Sequence, residues 1–187
     1  GVSFWWTEKS TALSDAVEGA IYLVNRIPDK NGFKYIDAMN SLMLSRQKQT
    51  GEFEGWYGDG NVTRTALMYA LYKTQGLRMQ PWKPTLKYGA VNNNDTLYIA
   101  INSEKDWKGK LFFDYPRSRE IFHLPINYAR INEFPEWFTV EPFEFYTVKN
   151  VKDNRETSYP GIELIEGIDI SIPAGKTLFL KVYPVKK

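Results

Sequence analysis

The chain has 187 residues, 43% of them hydrophobic and 25% charged, which is enough apolar material for a packed core and excludes wholesale disorder. Its net charge of +2, from 24 basic and 22 acidic residues scattered along the sequence, leaves no basic stripe for nucleic acid or an anionic membrane. With no cysteine and one histidine, the chain by itself lacks the residues for disulfides, thiolate nucleophiles, or zinc and iron sites built from Cys or paired His; neither a metal nor a cofactor is expected.

From Ser14 to Gly76 the apolar residues recur at helical spacing. A first helix is expected after Ser14 as N-cap, with Asp15 in its first turn, Val17, Ala20, Ile21 and Val24 on one face, and a stop before Pro28. A second runs from about Phe33 to Gln49, with Ile36, Met39, Leu42 and Met43 inward and Gly51 beyond its end. A third, capped by Asn61 and closed by Gly76, is apolar nearly all round and so needs cover on more than one side. Either the domain that follows packs across it, or other members of a larger helical array do. No apolar run approaches the roughly 20 residues that cross a bilayer, and no signal segment opens the chain.

Pro81 and Pro84 in "MQPWKPTL" end the helical period. Short runs rich in aromatic and β-branched residues follow at 96–102, 108–115, 120–126, 137–141, 144–150, 167–173 and 177–184, separated by turn chemistry such as "NNND", "YPRSR" and "PAGK". Strands that succeed one another without intervening helices predict an antiparallel β-sandwich. The expected fold class is α+β: antiparallel helical hairpins over 1–83, packed on a C-terminal antiparallel β-sandwich over 84–187, with a short proline-stiffened connector holding the two against each other.

The stretch "LSRQKQTGEFEGWYGDGNVTRTALMYAL" resembles the helix, Gly-rich aromatic turn, helix pattern of the (α/α) toroid proteins, which include polysaccharide lyases, unsaturated glucuronyl hydrolases and terpene cyclases. "NSEKDWKGKLFFD" and "GIDISIPAGKTLFLKVYP" resemble the β-sandwich that many bacterial toroid carbohydrate enzymes carry after their helices. The resemblance implies an oligo- or polysaccharide partner and favours a periplasmic or extracellular setting. A complete toroid needs more than three helices, so the likeness is to the tail of such a protein; the start at Gly1 rather than Met fits a preceding helical domain in a longer chain.

The residue chemistry leaves two readings of this stretch open. Glu52, Glu54 and Asp59 share one turn-rich loop, and carboxylates about 5 to 9.5 Å apart are what glycoside hydrolysis requires. In a cleft Asp59 and Glu54 would be acid and base, Trp56 would stack a sugar ring, and Tyr57 would bind beside it or take the proton α to a uronate in a lyase. Arg64, one turn into the third helix, would orient the uronate carboxylate. In the plainer reading "GDGN" is a tight turn, Asp59 sits at the positive end of the helix, Asn61 caps it, and Arg64 pairs with Asp59. Glu18 is expected at a partly exposed surface, beside a Gly19 that could admit a close approach; buried instead, its carboxyl would have a raised pKa and could act as a general acid.

A second polar and aromatic cluster spans 114–138, with Arg117, Arg119, His123, Asn127, Tyr128 and Trp137; it reads as a long packed loop or a binding surface. His123 falls at strand spacing between Phe122 and Leu124 and reads as a structural histidine. The preferred function is an accessory, non-catalytic portion of a polysaccharide-processing protein that supports or binds acidic glycans. The alternatives are a self-sufficient glycoside hydrolase or lyase using the loop carboxylates, and a structural protein-interaction domain.

Overall fold

The computed structural model describes residues 10–51, 60–128 and 134–185. The chain is α+β: three N-terminal helices are followed by two antiparallel sheets in a sandwich-like arrangement. It divides into two compact units, Gly1–Ala70 and Leu71–Lys187.

In the first unit, α1 (Ser10–Arg26) and α2 (Lys30–Leu44) form a hairpin whose packed stripes are Val17, Ile21 and Val24 on α1 and Ile36, Asn40 and Met43 on α2. These recur at three- and four-residue steps, so each helix buries one face. Pro28 ends α1 as expected, but the helix begins upstream of Ser14. Ser14 is fully buried within it, its carbonyl 3.5 Å from the Thr65 hydroxyl oxygen. The α2 cap is Asp29, whose carboxylate accepts the Gly32 N–H at 2.6 Å. That capping oxygen satisfies an otherwise orphan donor and starts the helix earlier than the apolar pattern does.

Helix α3 (Asn61–Thr74) has Asn61 as its first helical residue rather than its cap, and it buries Val62, Thr65 and Met68. Leu67 is 53% exposed, so the helix is not covered all round. It closes at Gly76, with φ +83, a conformation that L side chains rarely adopt.

The second unit contains a five-stranded sheet in the order β2 (Leu86–Asn93), β3 (Thr96–Ser103), β8 (Thr177–Pro184), β5 (Phe145–Asn150), β6 (Glu156–Pro160). A three-stranded sheet has the order β1 (Arg78–Gln80), β4 (Trp107–Phe112), β7 (Ile168–Ile172). All ladder pairs are antiparallel. Leu97, Ile99, Ile101, Leu180 and Val182 from the longer sheet share a core with Trp107, Leu111, Ile168 and Ile172 from the shorter one. Residues alternate in and out along β3 and β8, as a sheet with one packed face requires.

Two expected strands are absent. Residues 120–126 follow the four-residue helix α4 (Arg117–Glu120), which begins after Pro116, and His123 is exposed in a turn with φ 52. Proline at the helix start and Pro125 beyond it explain why strand-like spacing does not persist there. Residues 137–141 are extended but joined only by an isolated parallel bridge between Asp114 and Thr139. A second short helix, α5 (Gly161–Glu166), precedes β7.

Candidate functional site

Glu54, Trp56, Tyr57 and Asp59 lie outside the described residues, as does Glu52. Arg64 lies inside them. Its Nε donates to Glu18 Oε1 and its Nη2 to Glu18 Oε2, each at 2.8 Å, a bidentate fork in which Thr65 Oγ1 also donates to Oε1 at 2.8 Å. Glu18 is 7% exposed, so it is a buried partner rather than a surface carboxylate. The bond to Glu18 raises the Arg64 pKa further, against the opposing effect of burial. A uronate at Arg64 would therefore compete with Glu18. Gly19, on the same helix, has nothing within 4 Å of the position its Cβ would take.

The β-sandwich unit presents a different site. At one end of the five-stranded sheet is an open cleft of about 280 Å³, lined by Asn92, Asp95, Trp137, Phe138, Thr139, Tyr146 and Pro184. Strand order assembles it. Tyr146 and Pro184 are register partners on β5 and β8, while Asn92 pairs opposite the buried Leu97 and so shares the core face of the sheet. Asp95 comes from the two-residue β2–β3 turn, where Asn94 and Asp95 have φ 49 and 61. Positive φ at both central residues is the geometry that matches strand twist in a tight hairpin, and Asn and Asp tolerate it better than most residues.

The other wall, residues 134–140, has no ladder of its own and is fastened from outside. Its Phe138 and Val140 N–H groups donate to the Gln75 and Asp114 carbonyls, at 3.4 and 2.9 Å. Arg117 Nη2 donates to the Phe134 and Pro135 carbonyls, at 2.9 and 3.4 Å, and to Asp114 Oδ2 at 3.1 Å. The Ser118 N–H donates to Glu136 Oε1 at 2.6 Å. Burial raises the Asp114 pKa, and Arg117 counters only part of that effect. Arg119 braces the neighbouring turn by pairing with Glu141 and Glu120.

Trp137, held between these anchors, is half-buried and meets the Tyr72 ring at 5.0 Å with a 41° tilt. Its indole Nε1 is buried with no hydrogen-bond partner among the described residues. Such a donor normally finds an acceptor, and leaving it bare costs about 1–3 kcal/mol. The Tyr146 hydroxyl accepts the Glu141 N–H at 2.9 Å, and its burial raises its pKa. The cleft thus offers an aromatic face from Trp137, the Tyr146 and Thr139 hydroxyls, the Asn92 amide and one carboxylate.

No family model matches the chain. No curated protein matches it either. Among solved structures it is similar to a crystal structure from Bacillus halodurans C-125 described as a "putative alpha-N-acetylgalactosaminidase", with 15% identity and a TM-score of 0.34, over 67% of this chain. The chain covers 25% of that protein's length.

Sequence reading singled out Trp137 within the 114–138 cluster but not its partners. Asn92 and Asp95 were visible only as turn residues and Tyr146 only as a strand residue. The signal available was the Asn-Asp turn, which marks a tight hairpin whose tip can project a carboxylate. Among the described residues, no group of three His, Asp or Glu is placed to hold a metal, and no helix is long and apolar enough to cross a membrane.

Proposed function

We propose that this chain is a non-catalytic, glycan-binding portion of a polysaccharide-processing protein. The observation that carries the reading is the sandwich-end cleft, where the ring of Trp137 stands beside a short set of hydroxyl, amide and carboxylate groups. Sugars present apolar C–H faces that stack on indole and a rim of hydroxyls that both donate and accept, and this lining matches both. Paired-carboxylate hydrolysis requires two acids, and Asp95 is the one carboxylate in the lining. Binding without turnover is the chemistry these residues support.

Glycan-array screening of the purified chain tests this reading, followed by titration calorimetry of the hits with the wild type and Trp137→Ala. Saturable binding lost in Trp137→Ala, with no release of reducing ends or unsaturated uronates, is the expected result. Silence across the array removes the reading.

The catalytic alternative belongs to the stretch 52–59 that carries Glu54 and Asp59, with Trp56 and Tyr57 as sugar contacts and Arg64 exchanging Glu18 for a uronate. The bidentate fork of Arg64 on a carboxylate is the observation in its favour. It is also the route by which an acidic glycan would be recognised. Turnover of a uronic oligosaccharide that Asp59→Asn abolishes, in a chain of unchanged fold, would establish it. A protein-interaction role draws on the exposure of Leu23, Ile27 and Leu67, at 60%, 65% and 53%; concentration-dependent association in sedimentation velocity would support it.

A further inference from the structure

We infer that the sandwich-end cleft discriminates by charge: it rejects acidic sugars and takes an amino sugar with a free ammonium group in preference to the uncharged equivalent. The inference rests on the glycan-binding reading of that cleft and names its ligand class. None of the seven lining residues is basic, and the one ionised side chain among them is Asp95. Asp95 is exposed, and no ion pair or hydrogen bond engages its carboxylate among the described residues. The nearby carboxylates of the anchoring network are otherwise occupied: Asp114 by Arg117, Glu136 by the Ser118 N–H, and Glu141 by Arg119. Asp95 alone is left facing incoming ligand.

The hairpin places it there. With Asn94 and Asp95 both at positive φ, the turn is tight and Asp95 stands at its tip. Trp137 reinforces the selection, since an ammonium-bearing ring stacked on indole gains from the electron-rich face. A carboxylate or sulfate on the same ring meets Asp95 with like charge and finds no compensating cation in the lining. Neutral hydroxyls are served by Asn92, Thr139 and Tyr146 in either case, so the charge effect is superimposed on a common mode of binding.

Calorimetry with the full chain tests this on matched short β-linked oligomers of glucose, glucosamine and glucuronate, and on the corresponding galacto series. The glucosamine-type oligomer is expected to bind about two- to fivefold more tightly than its neutral counterpart at low salt, the range of a solvent-exposed ion pair. That advantage shrinks as salt is raised, and the uronate binds most weakly. Asp95→Asn should bring the amino and neutral oligomers to equal affinity, whatever it does to the affinity they share. A uronate that binds more tightly than its neutral counterpart, or an amine preference that survives Asp95→Asn, overturns the charge selection and leaves glycan binding standing. Silence across both series overturns this inference and the glycan reading together.

Discussion

The Glu18–Arg64 pair is a side-chain interaction whose removal is asymmetric. Deleting one partner leaves the other charge in a site from which water is largely excluded, a cost of several kcal/mol in fully buried pairs. The Arg64 side chain is 26% exposed, so screening reduces the figure here. Glu18→Ala should destabilise by about 2–3 kcal/mol, and the Glu18→Leu, Arg64→Met double variant by distinctly less than the sum of its single changes, measured by urea unfolding in a double-mutant cycle. Asp114 behaves in the opposite sense. Its pKa is raised above the ordinary value of 3.8, chiefly by desolvation, so the folded chain holds this proton more tightly than the unfolded chain does. The stability that this contributes is complete below 3.8 and is lost as pH rises through the higher folded value. The Tm of the wild type relative to Asp114→Asn should therefore fall as pH rises across that window, in paired thermal melts.

Helices α1 and α2 owe their limits to different chemistry, and that difference can be measured. Asp29 closes the exposed start of α2 with a charge-assisted bond, so Asp29→Ala should cost about 1 kcal/mol, seen as a Tm lower by about 2–4 °C. Gly19 lies inside α1 with free space where its Cβ would stand. Gly19→Ala should raise stability by about 0.5–1 kcal/mol, because it narrows the unfolded ensemble without meeting a neighbour. The two melts move in opposite directions although both positions lie in one helical hairpin. Gly161 follows a third rule: a Cβ there would stand 1.9 Å from the Glu141 carbonyl oxygen, so backbone and not propensity decides that glycine.

The sandwich unit is held together by its most C-terminal strand. β8 pairs with β3 on one side and β5 on the other, and it contributes Leu180 and Val182 to the core. Cutting the chain after Lys176 removes the centre of the five-stranded sheet, unpairs two ladders and opens the core. Near-UV circular dichroism of the shortened chain should lose the fixed aromatic signal, and cooperative unfolding of the sandwich should vanish. Such long-range pairing also makes the unit dependent on late, non-local closure. Pro184 lines the cleft, so the same strand that completes the core also completes the cleft wall.

The α+β class, the helical first part and the antiparallel character of the second were legible because hydrophobic period is a local property, written at steps of two or of three to four residues. Pro28 and Gly76 marked two helix ends for equally local reasons. The strands β1, β2 and β6 were missed: their short or Gly- and Asn-containing sequences alternate too weakly, and they are extended because neighbours pair with them. The Arg64 partner could not be read either, since Glu18 lies 46 residues away and reaches it only when α1 and α3 are packed. The cleft is the extreme case. Residues from 92 to 184 meet there because β8 inserts between β3 and β5, and strand order is settled by the free energy of the whole sheet, which no window of sequence contains.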